Sequence, residues 1–521
     1  MKNLLFSLLS FTLIHSSLSL AAVNWRTGNY HAQFIEEQVT LPNGELWKWE
    51  RVYDSASDHQ GWWGLGWGSN LETRLDFGTD GAIYLVSNGT GPISVFESSP
   101  EKLAEAKKEI LENPKLTKDQ KDYQLRMISE SPQGRWESFA KNKSQPLKSD
   151  ASQWEGLAVG LGALKKVGSS IQWSREGKIL AEFNQEGKLQ KIWRGPYSLD
   201  LEWKGDRPQR LSGNKKIYMD FQWSATGARL EKVNTGKKQT LYSYNTNYQL
   251  EKSTGTSYPN QTYQWSSTLL TSLSQGEFSE TITYDPKSNR VMKIVQGDKV
   301  KTYSWKETAT ETTLSINESP GSSQSITYRY RPGNSGEKIL VSQEHKAGSQ
   351  HRLVEFLPCC SLPTKIVEGS NIHTFNYDDS NRLLEINFPD GSFHKYTWPE
   401  AGKVPTSIIR PEGSAQITVT NGKAMQLAFN QEKILAHYNG EQLIRLERQG
   451  KNPLSIQLEY KDGQLWRARV GDMAGIEFTG PGKEMKIQGP QVSRGKLEFY
   501  AIYMKFLEWT RSFDPTILLV Q

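Results

Sequence analysis

Residues Thr374–Trp398 read TFNYDDSNRLLEINFPDGSFHKYTW. Leu384, Ile386 and Phe388 alternate with Glu385 and Asn387, the period of a half-buried strand. Pro389-Asp390-Gly391-Ser392 reads as a tight turn, with Gly391 free to take a positive φ. In the strand that follows, His394, Tyr396 and Trp398 alternate with Lys395 and Thr397. The stretch predicts a β-hairpin closed by an aromatic residue.

The closing aromatic recurs along the chain. Phe183, Trp203, Trp223, Tyr244, Trp265, Tyr284, Trp305, Tyr330, Phe356, Tyr377 and Trp398 follow one another at intervals of 19 to 26 residues. A Gly or Asn often falls about four positions later and a Leu or Val after it, as in Gly187-Lys188-Leu189 and Asn289-Arg290-Val291. A sustained period of this length marks stacked supersecondary units. Weaker copies are expected at Tyr438, Tyr460 and Phe478.

Two copies carry a family resemblance. Tyr284-Asp285-Pro286-Lys287-Ser288-Asn289-Arg290-Val291 and Tyr377-Asp378-Asp379-Ser380-Asn381-Arg382-Leu383-Leu384 resemble the YD repeat of bacterial RHS-type proteins. That repeat reads roughly YD-x-x-G-x-L. Asn289 and Asn381 stand where the family usually has Gly, and Asn also tolerates the left-handed region. The remaining copies lack the Asp. The resemblance spans roughly residues 170 to 400. It implies an all-β fold: a long antiparallel meander of two strands per period, curled by accumulated twist into a partial shell or cocoon. Tyr284, Asp285, Asn289, Tyr377, Asp378, Asn381, Leu383, Gly391, Tyr396 and Trp398 are expected as structural repeat residues.

Upstream, Lys2 precedes the mostly apolar run Leu4–Ile14, and small residues close at Ser19-Leu20-Ala21. This reads as a signal peptide over 1–21, cut near Ala21, which places the mature chain in the periplasm, at the outer surface or outside the cell. No later run is apolar enough to span a bilayer as a helix, so no transmembrane segment is expected. The formal charge of +6 falls to +5 without Lys2, with basic and acidic residues interspersed. Such a balance implies no nucleic-acid partner.

Residues 22–97 read as an N-terminal β region. Arg51-Val52-Tyr53-Asp54-Ser55 and the glycine-rich Gly61-Trp62-Trp63-Gly64-Leu65-Gly66-Trp67-Gly68 resemble the lead-in to the repeats of RHS-type proteins. The glycines do not fit GxGxxG and no Lys-Ser/Thr pair follows, so a Trp-plugged turn is expected rather than a phosphate loop. Residues 98–130 predict a helical hairpin: Ser99-Pro100 opens one helix, Asn113-Pro114 ends it, and Thr117 with Gln120 forms a capping box for the next. Residues 131–168 read as irregular connection, 169–400 as the repeats, and 401–495 as degenerate β repeats. Over 496–521 a helix that caps the last sheet edge, and a tail, are expected, with a final strand as the competing reading because aromatic residues are dense there. The apolar stripe of that helix is Leu497, Tyr500, Tyr503, Met504 and Leu507, with Phe499, Ile502 and Phe506 on its far side.

The only cysteines, Cys359 and Cys360, are adjacent. They read as a free or vicinal pair, with a disulfide, a redox role and metal binding as further readings. Their spacing to His345 and His351 fits no zinc pattern. No G-x-S-x-G, P-loop or H-E-x-x-H motif occurs. Asp514-Pro515 lacks the Gly-Leu that marks toxin release in large RHS-type proteins. Neither a cofactor nor a metal is expected. The resemblance implies a secreted, non-enzymatic scaffold or binding protein of the bacterial envelope or surface, with a glycan or another cell-surface protein as partner. The alternative is an envelope-acting, glycan-directed hydrolase whose site has no sequence signature.

Overall fold

The computed structural model describes residues 20–511, apart from 42–45, 98–99, 119, 122–123, 126–131, 142–151, 158–160, 176–177, 195–196, 214–215, 237, 256–259, 333–337, 358–361, 380, 401–403, 421–422, 430–431, 440–441, 451, 462–463 and 480–483. One antiparallel sheet of 36 strands runs in strict chain order from Arg74–Phe77 to Glu484–Gln488. Among the described residues no ladder joins its two ends: Glu484–Gln488 pairs with Ala474–Thr479, and Arg74–Phe77 with Ile83–Val86. The sheet instead curls until its first strand meets a later turn. Leu75 N donates to Gly187 O at 2.8 Å, beside a single bridge between Arg74 and Lys188. Gly187 has φ +82°, and a Cβ there would lie 1.9 Å from Leu75 O, so this contact requires glycine.

Most periods place the closing aromatic at a break in register; at Trp305 the pairing is regular. The ladder shifts just before Trp223, Tyr244, Trp265, Tyr284 and Tyr377. The ring tip then reaches back to a main-chain carbonyl of the preceding period. Trp265 Nε1 donates to Leu250 O at 2.7 Å, and Tyr284 Oη to Leu270 O at 2.9 Å. Tyr377 Oη donates to Pro363 O and Trp398 Nε1 to Leu383 O, both at 2.7 Å. A bulge frees a carbonyl from the ladder, and an unpaired buried carbonyl is costly. That is why most of these positions hold Tyr or Trp, which carry a donor, rather than Phe. The device continues beyond residue 400. The register shifts again before Tyr438 and Tyr460, and Tyr438 Oη donates to Ala424 O at 3.2 Å. At Phe478 the pairing is regular.

The turns follow the expected chemistry. Asn289 and Asn381 take φ of +57° and +61°, and Gly391 takes +82°. Asp285 Oδ1 accepts from the amides of Lys287 and Ser288, and Asp378 Oδ1 from that of Arg382. Some copies without Asp keep an acceptor at the same place: Asn245 Oδ1 accepts from the amides of Asn247 and Gln249, and Asn184 Oδ1 from those of Glu186 and Lys188. Neighbouring turns are also tied together. Arg229 Nε donates to Tyr248 O, Gln249 Nε2 to Ser267 O, and Arg382 Nη1 to Pro399 O.

The concave face of the first part of the sheet is filled by the N-terminal segment. Strands Leu20–Val23, Tyr30–Thr40, Leu46–Asp54 and Trp67–Ser69 form a separate sheet in that order. Phe34, Trp49, Trp62, Trp63 and Trp67 share one core with inward residues of the meander such as Phe221, Tyr242 and Tyr263. Tyr53 Oη accepts from Leu270 N at 3.1 Å, and Leu230 and Val291 donate their amides to Trp62 O and Gly28 O. A second core begins at Val354 and is completed by the C-terminal helices.

Several details differ from the expectations. In the opening hairpin Leu383 and Ile386 are buried while Leu384 is exposed. The register shift before Tyr377 leaves Leu384 as the extra residue and reverses the strand's phase there. Helix Pro100–Glu112 forms, and Thr117 and Gln120 exchange both capping-box bonds. Residues 131–168, expected as irregular, contain helix Pro132–Phe139 and strands Gln153–Gly156 and Ala163–Val167.

The C-terminal segment is helical from Val492 to Arg511, with a π-turn over Tyr500–Met504. Its buried face is Phe499, Ile502, Phe506 and Trp509, whereas Leu497 is 70% exposed and Tyr500 39%. The two stripes have the same helical spacing. The strip holding Trp509 wins because it docks on the sheet's inner face, where Trp509 meets Phe429 and Arg410. Contacts run from the strand Lys423–Phe429 to Glu484–Gln488, so the helix covers a face of the sheet rather than its last edge. Cys359, Cys360 and residues 1–19 lie outside the described residues.

Candidate functional site: a cleft beside the lead-in segment

The R-x-Y-x-S run builds the junction between the N-terminal sheet and the meander. Arg51 is wholly buried. Its Nε pairs with Glu36 Oε1 at 2.7 Å, and Nη2 donates to Gln261 Oε1 at 2.7 Å and Tyr263 Oη at 2.6 Å. The guanidinium lies 4.5 Å from the Trp67 ring centroid and 4.7 Å from that of Phe34. Tyr242 Oη donates to the other oxygen of Glu36. Charge, hydrogen bonds and aromatic faces all meet at one side chain, so this is a lock between two sheets. Trp62, Trp63 and Trp67 are buried in the core beside it.

A solvent-accessible cavity of about 460 Å³ opens beside this lock, lined among others by Asp54, Asp58, His59, Arg74, Trp136 and Lys141. Local structure sets each wall. Asp54 ends its strand, and its Oδ1 accepts from Asn29 Nδ2 and Ala56 N, which shapes the loop that carries Asp58 and His59. Ser69 caps the short 3-10 turn Asn70–Glu72 and so sets Glu72 behind His59. Glu72 Oε1 lies 3.2 Å from both His59 Nε2 and Trp62 N. Its Oε2 is buried without a hydrogen-bond partner among the described residues. Burial raises the Glu72 carboxyl above its ordinary value, and the bond to His59 partly offsets this. Gly89 backs the imidazole: a Cβ there would sit 2.4 Å from His59 Nε2.

The helix Pro132–Phe139 closes the far side. Buried Arg135 holds it down through Asp80 at 2.7 Å and through Glu97. Trp136 Nε1 donates to Asp76 Oδ2 at 2.8 Å, Arg74 pairs with Asp76 at 3.0 Å, and Lys141 with Asp58 at 2.6 Å. The cavity therefore offers fixed donors and acceptors around a held imidazole.

The residues singled out from the repeats lie elsewhere. Tyr284, Asp285, Asn289, Tyr377, Asp378, Asn381, Leu383, Gly391 and Trp398 form turns and ring-to-carbonyl contacts, and Tyr396 packs inward in the second core. Among the described residues no three His, Cys, Asp or Glu side chains converge as a metal-binding group. Sequence reasoning missed His59 and Glu72. The one available signal was Ser69-x-x-Glu72, which has the form of a capping box.

Residues 21–92 match a family model described as a domain of unknown function, DUF6531. No curated protein matches the chain. Among solved structures it is similar to TcdB2-TccC3-TEV, with 11% identity and a TM-score of 0.27, over 88% of this chain and 26% of that one. It is also similar to a porin-like protein from Bacteroides uniformis ATCC 8492, with 12% identity and a TM-score of 0.13, over 43% of this chain and 91% of that one. The chain thus spans about a quarter of the length of the TcdB2-TccC3-TEV chain.

Proposed function

We propose that this chain is a secreted, non-enzymatic RHS-type scaffold of the bacterial envelope or surface that binds a glycan or another cell-surface protein. The YD-like turns, the lead-in segment and the domain match over residues 21–92 fit an RHS-type protein. The observation that carries the scaffold reading is the filled concavity. Trp49, Trp62, Trp63 and Trp67 occupy the inner face of the meander, and Arg51 locks them there, so that surface serves packing. Contact with a partner then falls to the outer face, the rims and the His59 cleft. The test is adhesion of the purified chain to bacterial cells and to a glycan array, with release of labelled sugar from cell-wall polymers followed in parallel. Binding without turnover supports the scaffold.

One observation favours the hydrolase reading. His59 and Glu72 form a His–carboxylate pair at a cavity, and such a pair can move a proton. Against this, Glu72 also holds the Trp62 amide, which makes the pair a fastener of the turn. Turnover that is lost in Glu72→Gln, with the fold retained, would select the hydrolase.

A further inference from the structure

The His59 cleft is built in a way that packing alone does not require. We infer that it binds a neutral saccharide of one or two rings, a reading that rests on the binding-protein function proposed above. Its volume of about 460 Å³ falls within the roughly 300–1,000 Å³ of small-molecule sites. The charges in its wall are largely matched inside the protein. Lys141 meets Asp58, Arg74 meets Asp76, and Asp54 Oδ1 takes two donors. An anionic ligand would face Asp54, Asp58 and Glu137, and a cationic one would face Arg74 and Lys141. Either would trade full hydration for mixed contacts, at a net cost.

A ligand dense in hydroxyl groups fits this wall, because each hydroxyl both donates and accepts. The paired carboxylates keep spare lone pairs for its protons, and Ser57, Gln60 and Thr90 add neutral partners. Ala56 and Ile93 supply apolar patches for the C–H face of a ring. His59 is the orienting group. Glu72 holds its Nε2, and the bare Gly89 backbone leaves room for the ring. A fixed imidazole loses little entropy when it takes a ligand hydrogen bond.

The experiment is ligand-observed NMR and calorimetry on the purified full chain. The panel is glucose, galactose, mannose, N-acetylglucosamine and their β-linked disaccharides, with inorganic phosphate, galacturonate and glucosamine as charged controls. At least one neutral sugar is expected to bind. His59→Ala should weaken it at least about tenfold, the effect of one lost hydrogen bond of about 1.4 kcal/mol. Thr90→Val, which removes a hydroxyl at constant shape, should weaken it as well, without change in melting temperature; Gly89→Ala, which displaces the ring, should also weaken it but with a lower melting temperature, because Gly89 holds φ +76°. Met292→Ala, on the exposed outer face, should have no effect. Preference for a charged control overturns the inference. So does sugar binding indifferent to all three cleft variants, which leaves the binding-protein reading intact but moves the site. If no sugar binds while the chain still adheres to cells, the saccharide inference fails and a protein partner remains.

Discussion

Replacing Arg51 with Ala should release the N-terminal segment from the meander. The variant leaves Glu36, which is 2% exposed, as a buried carboxylate without its cation. It also strips Gln261 Oε1 and Tyr263 Oη of a charged donor and opens a gap beside the Phe34 and Trp67 rings. Breaking a buried pair by removing one partner costs about 3–5 kcal/mol. The ring contacts belong to the same cluster and are not added separately. At 3 kcal/mol the open population rises roughly a hundredfold. Limited proteolysis in the regime of rapid closing reads that population, so cleavage between residues 55 and 61 should accelerate by the same factor. Urea unfolding, followed by Trp fluorescence, should show an early transition assigned to the N-terminal segment. Adding Glu36→Gln to Arg51→Met removes the stranded charge and should recover about half of the loss or more. A single variant within 1 kcal/mol of the parent, with unchanged proteolysis, would refute the lock.

Three further outcomes follow from the geometry. Tyr284→Phe keeps the ring but strands Leu270 O, so it should cost about 1–3 kcal/mol by chemical denaturation, whereas Tyr248→Phe, at a 68%-exposed turn position, should cost under about 0.5; equal costs would remove the ring-to-carbonyl contact as the reason for Tyr. Ile502→Asp places a charge in the second core and should cost at least about 3 kcal/mol, while Leu497→Asp should stay within about 0.5 of the parent, and the reverse order in thermal melts would restore the other helix face. Burial holds the Glu280 carboxyl above its ordinary value of 4.5, and Tyr30 Oη donates to it at 2.5 Å. A raised folded-state value gives stability that is full below the unfolded value and lost as pH rises through the folded one. Glu280→Gln should therefore gain on the parent between pH 4 and pH 7, and a constant gap in melting temperature would contradict this.

Much of the fold was legible because it is local. An aromatic every 20 or so residues, and Asn289, Asn381 and Gly391 at left-handed positions, state the hairpin repeat without reference to anything distant. What was not legible has two causes. A bulge adds one residue without marking itself in the pattern, so Leu384 reads as inward when Leu383 is. The helix over Val492–Arg511 is apolar on both sides, and only the sheet beneath it chooses Trp509 over Leu497. The Arg51 lock joins residues 210 and 212 positions apart, and the cleft joins loops near residues 59 and 89 to the helix that carries Trp136. Periodicity carries no information about such pairings. His59 and Glu72 are single residues whose meaning lies in their distance.

Native-state hydrogen exchange on the full chain tests most directly whether the N-terminal segment is the filling of the curled sheet. The amides of Leu230, Leu270 and Val291 are bonded to Trp62, Tyr53 and Gly28 across that junction. They should share one opening free energy with Tyr53 and Trp67 in the N-terminal sheet, and Arg51→Ala should lower all of them together. If the N-terminal sheet exchanged freely while those three amides of the meander stayed protected, the segment would be a separate appendage and the account would be wrong.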